Sequence, residues 1–297
     1  MLKEVHFLLS YMCTYECDHC FVFSSPNAEG TFTVKQVQEV LDEAVKTGTV
    51  DMVVYEGGEP FLFYPILLEG IRLATQKGLK TGIVTNSYFA TTTEDAEFWM
   101  KPLIDAGLKD VAVSDDEFHY DGEGISPAFK AAEAAKRLGM PTTSIHIDKP
   151  VVAAEDDREK GAKVLGGGAM LRGRAADKLT EGLPVKRWDS FFECPYEDLL
   201  SPSRVHVDTF GHVHLCQGLS MGNMWKTPLS KLLEEYDPMK HPIVRPLVEG
   251  GPSELAKAYK TCNRGAYVDA CHLCYMTRKA LIDKFPEYLV PRNVYGL

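Results

Sequence analysis

The chain has 297 residues, 45% of them hydrophobic and 25% charged, with a formal net charge of -10. That is the profile of a soluble globular protein large enough for one main domain and a smaller one. The acidic balance argues against a nucleic-acid backbone or an anionic membrane as the main partner, and no run of about twenty apolar residues is present to form a transmembrane helix.

The apolar start, Val5 to Ser10, is too short for a signal peptide and has no small-residue cleavage site, so it reads as a first buried strand. After a cysteine-bearing loop, Thr33 with Gln36 three residues on forms a capping-box pattern, and Val37, Val40, Leu41, Ala44 and Val45 follow at helical spacing. A short strand is predicted at 52–55, ending in the turn at Gly57 and Gly58. A helix follows over 64–77, then a strand over 81–86 and a helix over 94–106 that Pro102 should kink or shorten. A fourth strand is predicted at 110–114. Ser126 and Pro127 open the next helix and Gly139 ends it. A fifth strand is expected at 142–147, a helical stretch at 156–164 and a sixth strand at 169–172. This alternation predicts a parallel sheet with right-handed crossovers, and six units would close only part of a barrel. The loops after the strands are where such folds place their sites. They hold Cys13, Cys17 and Cys20, then Gly57 to Glu59, Thr85 and Asn86, Ser114 to Asp116, and Arg172 and Arg174.

From residue 205 to Cys216 apolar residues alternate across a Phe-Gly turn, the pattern of a β-hairpin. A helical stretch follows from about Leu229. The eight cysteines stand at 13, 17, 20, 194, 216, 262, 271 and 274. Three bunched at one end and five at the other is unlike a disulfide framework. Thiols kept for metal imply a reducing compartment, hence the cytoplasm.

Cys13, Cys17 and Cys20 lie in the run CTYECDHC. The spacing supplies three thiolates for a four-iron cluster and leaves one iron open to bind a small molecule and pass it an electron. A closed zinc site with His19 as fourth ligand is the alternative. The run closely resembles the signature of the radical SAM enzymes, and Gly57-Gly58-Glu59-Pro60 resembles that family's methionine-binding motif. The resemblance implies S-adenosyl-L-methionine and a [4Fe–4S] cluster as cofactors and a partial (β/α)6 TIM-like barrel over 1–185. It implies cluster ligation by Cys13, Cys17 and Cys20. Cofactor contacts are implied from Phe21, Gly57, Gly58, Glu59, Asn86 and Ser114, and from Arg172 and Arg174, which resemble the family's Gly-Arg-Ala stretch. Asp115, Asp116 and His119 are candidates for substrate or proton handling. A loop or core role is the plainer reading for His119 and His146, and a turn cap for the two aspartates.

Cys194 before the hairpin, Cys216 at its end and the later Cys271-x-x-Cys274 resemble the auxiliary-cluster domains called SPASM and, in shortened form, twitch. The resemblance implies a small α+β iron–sulfur domain over 186–297 with one auxiliary [4Fe–4S] cluster on Cys194, Cys216, Cys271 and Cys274. Four thiolates also suit zinc. Cys262 is left over as a buried small residue, an alternative ligand or a substrate-handling thiol.

The expected function is that of a radical SAM oxidoreductase. It cleaves S-adenosylmethionine to a 5′-deoxyadenosyl radical, abstracts a substrate hydrogen and oxidises the product through the auxiliary cluster. The electron donor expected is a flavodoxin or ferredoxin. With the first strand at residue 5, no separate recognition domain is expected and a small-molecule substrate is favoured. The alternative is a maturase that crosslinks or otherwise modifies a ribosomal peptide.

Overall fold

The computed structural model describes residues 1–120, 122–152, 164–165, 167–261 and 265–297. Strand and helix alternate through the first half: β1 (Glu4–Ser10), α1 (Val34–Lys46), β2 (Met52–Gly57), α2 (Tyr64–Gln76), β3 (Lys80–Thr85), α3 (Thr93–Asp105), β4 (Asp110–Ser114), α4 (Pro127–Arg137) and β5 (Thr142–Ile145). Local chemistry sets the boundaries. The Thr33 hydroxyl accepts from Gln36 N at 3.2 Å, while Gln36 Oε1 accepts from Thr33 N at 2.9 Å, closing the capping box of α1. Ser126 caps α4 by accepting from Phe129 N at 3.0 Å. Helix α3 runs unbroken through Pro102, so the expected kink is absent. The carbonyl that Pro102 deprives of a donor belongs to Phe98, a residue 81% exposed, and the helix ends three residues beyond the proline.

The chain continues through two short strands, β6 (Val151–Val152) and β7 (Val164–Leu165), which pair antiparallel, then α5 (Arg174–Lys178) and β8 (Lys186–Arg187). β9 (Arg204–Asp208), β10 (His212–Cys216) and β11 (Leu219–Asn223) form a meander. The helices α6 (Leu229–Glu235), α7 (Val244–Tyr259) and α8 (Ala270–Leu281) follow, with β12 (Ala266–Tyr267) between the last two, paired to β8.

Two expectations are corrected. Residues 169–172 form no strand, because glycines in the left-handed region, Gly168 at φ +84° and Gly173 at φ +60°, break extended backbone on both sides. Of the helix expected over 156–164, residues 156–163 lie outside the described residues and Val164 is in β7. The sixth parallel strand comes instead from the C-terminal third. The main sheet has the order β11-β10-β9-β1-β2-β3-β4-β5, and β9 pairs parallel with β1, His6 opposite His206 and Leu8 opposite Asp208. The predicted hairpin is therefore an extension of the main sheet.

Strand alternation sorts the side chains. Val5, Phe7, Val53, Tyr55, Val205, Val207, Val213 and Leu215 enter one continuous core with residues of α1 to α4, α6, α7 and α8. The other face of β2, β1, β9 and β10 carries Glu56, His6, His206, Asp208, His214 and Cys216, a polar row within the sheet. No helix among the described residues is long and apolar enough to cross a membrane.

Candidate active site

A cavity of about 170 Å³ opens at the carboxyl ends of β1 to β5. Cys13, Cys17 and Cys20 line it from the loop after β1, and Glu56, Gly57 and Gly58 from the end of β2. Thr85 and Asn86 line it from β3, Ser114, Asp116 and His119 from β4, and Ile145 and Ile147 from β5. This is the end of a parallel sheet where strand ends diverge and ligands bind.

The cysteine loop is held by its backbone. Arg174, at the start of α5, donates to Cys17 O at 2.8 Å and Ser24 O at 2.7 Å, while Arg174 N donates to Cys20 O at 2.9 Å. The sulfurs accept neutral donors: Cys13 Sγ from Tyr15 N and Asn86 Nδ2, both at 3.5 Å, and Cys20 Sγ from Ser24 N at 3.3 Å. Burial pushes the Cys13 thiol up to about 11 and raises Cys17 further. In the free protein these are neutral thiols, and an incoming metal centre must displace their protons.

The glycines are required by the cysteine loop itself. A Cβ on Gly58 would stand 2.0 Å from Met12 O, and one on Gly57, at φ +125°, 2.5 Å from Ser10 O. Glu59 lies beneath the cavity and does not line it. Its carboxylate accepts from Phe61 N at 3.0 Å, Thr85 Oγ1 at 2.9 Å and Asn86 N at 2.8 Å, tying β2 to the end of β3. Burial pushes its carboxyl up to about 7 against those three donors.

Asp116 lines the cavity with a fully buried carboxylate. Oδ1 accepts from Phe118 N at 3.1 Å and faces His119 Nδ1 at 2.8 Å, whereas Oδ2 has no partner. Burial alone would raise this carboxyl, but the His119 contact outweighs it and holds it below its ordinary range. His19 stands against Phe118 and His119, its Nδ1 also without a partner, and burial lowers it to about 4, so its imidazole is neutral. Two buried unpartnered atoms beside three thiols and a ligand-sized space fit a bound cofactor. Asp115 instead accepts from the Ser126 hydroxyl at 2.9 Å, and His146 is an exposed side chain facing Asp148 at 3.0 Å; neither lines the cavity.

Both arginines stand away from the cavity lining. Arg174 clamps the cysteine loop. Arg172 donates to Glu197 Oε1 at 3.2 Å and Cys216 Sγ at 2.9 Å, and lies over the Phe21 ring at 5.9 Å. It thereby joins Phe21, which does line the cavity, to a second thiol group. Cys216 ends β10, Cys271 and Cys274 share one face of α8, and Cys194 lies in the loop after β8. Burial raises Cys271 and pushes Cys274 up to about 11; the nearby charges that act on them include one another, Cys216, Cys194, Arg172 and Arg278. Arg278, 1% exposed, donates to Gln217 O at 2.9 Å and lies 3.8 Å from Cys216 Sγ. Among the described residues it has no carboxylate partner. A buried guanidinium favours a counter-charge, and among the described residues the groups acting on it are Tyr295 and the sulfurs of Cys274, Cys216 and Cys271. Cys262 lies outside the described residues.

Sequence reading missed Tyr15, Ser24, Glu56, Ile145 and Ile147 as cavity residues and considered His19 only as a zinc ligand. Parity along β2 carries the signal for Glu56: it shares a face with Val54, opposite core-facing Tyr55.

Fold and site together define an α/β protein with a thiol-lined cavity at the carboxyl ends of parallel strands. The model of the radical SAM superfamily matches residues 7–156, and the chain belongs to that superfamily. Membership implies S-adenosylmethionine and a [4Fe–4S] cluster as cofactors. The chain is 24% identical over 117 residues to the putative peptide biosynthesis protein YydG of Bacillus subtilis (strain 168), a match covering 39% of this chain and 37% of that one. It is 31% identical over 80 residues to the antilisterial bacteriocin subtilosin biosynthesis protein AlbA of the same organism, covering 27% and 17%. The matched region is thus well under half the length of either relative. Among solved structures, BtrN in complex with AdoMet and 2-DOIA superposes with a TM-score of 0.55 at 14% identity, covering 89% of this chain and 92% of that one. BtrN in an open conformation gives 0.51 at the same identity, covering 90% and 96%.

Proposed function

We propose that the protein is a radical SAM oxidoreductase with a second, auxiliary [4Fe–4S] cluster, and that it works in the cytoplasm with a flavodoxin or ferredoxin as electron donor. One observation carries this reading: three thiols, at 216, 271 and 274, gather around two buried guanidiniums, Arg172 and Arg278, and a fourth, Cys194, acts on Cys274. Zinc bound by four thiolates and a [4Fe–4S] cluster on four cysteines are both anionic; the superfamily favours the cluster. A fully ligated cluster has no open iron for substrate and suits an outgoing electron, hence net oxidation. The two functions divide near residue 185, with the cofactor half before it and the twitch-like half after.

Cys13, Cys17 and Cys20 would hold the [4Fe–4S] cluster, which with S-adenosylmethionine bound beside it would supply reductive cleavage and radical hydrogen abstraction from an unactivated C–H. The chain's own residues bind and orient. Arg174 fixes the cysteine loop and Glu59 fixes the end of β3. Phe21, Gly57, Gly58, Asn86 and Ser114 line the cofactor's space, and Asp116 Oδ2 and His119 are the groups placed to accept a hydrogen bond or a proton there. The arginine expected to hold the methionine carboxylate is left without a candidate in the cavity lining.

A second reading concerns the substrate. The partial likeness to proteins named for peptide and bacteriocin biosynthesis favours a ribosomal peptide over a small molecule. Anaerobic reconstitution should give about eight irons per chain, and dithionite with S-adenosylmethionine should yield 5′-deoxyadenosine. About four irons with stoichiometric zinc would remove the auxiliary cluster. Hydrogen transfer from labelled amino sugars or labelled precursor peptides to 5′-deoxyadenosine then chooses the substrate.

A further inference from the structure

The sheet's polar row contains two groups of two histidines and one carboxylate, and they differ in how their polar atoms are arranged. In the first, Asp208 Oδ2 faces Tyr11 Oη at 3.0 Å, His212 Nδ1 at 2.9 Å and His214 Nε2 at 3.2 Å. Oδ1 accepts from Phe210 N and His212 N, and His214 Nδ1 accepts from Gly218 N. Ordinary hydrogen bonds account for all these atoms.

The second group meets at a single atom. His6 Nδ1 and His206 Nε2 converge on one oxygen, Glu56 Oε1, at 3.2 and 2.9 Å. His206 Nε2 also meets Gln217 Nε2 at 3.3 Å, and Gln217 Oε1, on a residue 3% exposed, has no partner. If His206 Nε2 carries the proton that Glu56 needs, the Gln217 amide presents a donor to a donor. If it does not, Glu56 faces a lone pair. Turning the amide over, a choice that oxygen and nitrogen leave open, lets Gln217 Oε1 accept from a protonated His206 Nε2; once both imidazole nitrogens are deprotonated, the same orientation points four lone pairs at one place.

We propose that His6 Nδ1, His206 Nε2, Glu56 Oε1 and Gln217 Oε1 form a site for a divalent first-row metal ion, separate from both cysteine groups. The three ligand atoms of His6, Glu56 and His206 lie within 4.8 Å of one another. Neighbouring ligands of an ion bound at ~2.1 Å stand roughly 3.0–3.4 Å apart, and the two imidazole nitrogens stand 3.2 and 2.9 Å from Glu56 Oε1. Two imidazoles and one carboxylate suit zinc or ferrous iron. The second shell is also in place: His6 Nε2 faces Glu4 Oε2 at 3.2 Å, the outer carboxylate that fixes the tautomer and orientation of a metal-bound histidine. Glu4 is 41% exposed and lines a solvent-open cleft with Ser203 and Arg204, while Glu56 lines the cofactor cavity. An ion here would pin β1, β2 and β9 together at the floor of that cavity. The site requires no assumption about the reaction proposed above.

The test uses full-length protein with its cysteine sites loaded with iron, so that thiols do not compete, and zinc as the probe. Calorimetric titration should give one zinc equivalent in wild type and none in Glu56→Gln. Glu4→Gln should weaken zinc about 10–100-fold. Gln217→Leu, which leaves both histidines and Glu56 in place, should weaken it as well and serves if Glu56→Gln fails to fold. Crystals soaked in zinc should show an anomalous peak between His6, Glu56 and His206. No peak there, or a Gln217→Leu protein that titrates like wild type, overturns the site. Formation of 5′-deoxyadenosine in the same preparations tests the reaction separately.

Discussion

The two thiol groups solve opposite electrostatic problems. Around Cys13, Cys17 and Cys20 the sulfurs accept neutral backbone and amide N–H groups, and the nearest guanidinium, Arg174, is spent on carbonyl oxygens. Around Cys216 two buried guanidiniums face sulfur, Arg172 at 2.9 Å and Arg278 at 3.8 Å. Nearby net charge and hydrogen bonding set the potential of an iron–sulfur cluster. A neutral, cavity-lined cluster is the harder to reduce and the stronger donor once reduced. A cluster beside two cations accepts electrons more readily. On the proposed function the two potentials would therefore be graded, with a cluster at the second site the better acceptor for the electron leaving the substrate.

The strongest way to break this comparison is to remove the first site. Changing Cys13, Cys17 and Cys20 together to Ala should abolish 5′-deoxyadenosine formation and leave about four irons, measured by chromatography and iron assay. Cofactor cleavage by that variant would sink the assignment. A finer probe is Arg278→Met, which takes one cation from the second site. The auxiliary cluster should be lost, or its midpoint potential in an EPR-monitored titration should fall, while cofactor cleavage persists uncoupled from product. An unchanged potential would leave the grading without its cause.

Glu59 sharpens the first site's half of the comparison through pH. Its carboxyl is raised by burial from 4.5 to about 7. The folded protein therefore binds more protons than the unfolded chain between those values, and stability falls as pH rises through that window. The shift corresponds to about 3 kcal/mol at most. Glu59→Gln should remove this slope, so that urea midpoints of wild type and variant move apart in the variant's favour from pH 5 to pH 7.5. Parallel curves would mean that the Asn86, Phe61 and Thr85 donors keep the carboxylate charged throughout. The smallest effect is expected at Cys262, because four thiols are already present without it. Cys262→Ala should keep its iron, and bleaching of the second cluster's absorbance would redraw the ligand set.

Local signals were legible wherever neighbours in sequence are neighbours in space. Thr33 with Gln36, Ser126 with Pro127, the three-cysteine run and Gly57-Gly58 each act within a few residues, and the helices, strand ends and cavity edge follow from them. What was hidden depends on pairing at long range. Arg204 to Asp208 read as half of a separate hairpin because nothing local announces β1 as its parallel partner. Arg172 looked like a cofactor ligand until the fold placed it beside Glu197 and Cys216. The glycines at 57 and 58 were legible, but their reason was not: the obstruction is the Ser10 and Met12 backbone of another strand's end.

The union of β9 with β1 also governs how the chain acquires its structure. Glu4 pairs with Arg204, so β1 waits some 200 residues for one of its two neighbours. Until then its outer edge offers unpaired N–H and C=O groups in a largely apolar strand, the kind of edge that recruits other chains. Closing such a distant contact is slow, and the cysteine loop hangs from the end of that same strand. A fragment ending at residue 185 would keep every thiol of the first site and still lack the strand that shields it. It should collect as aggregate, and adding the missing half after synthesis should rescue it poorly, because the exposed edge finds its own kind first.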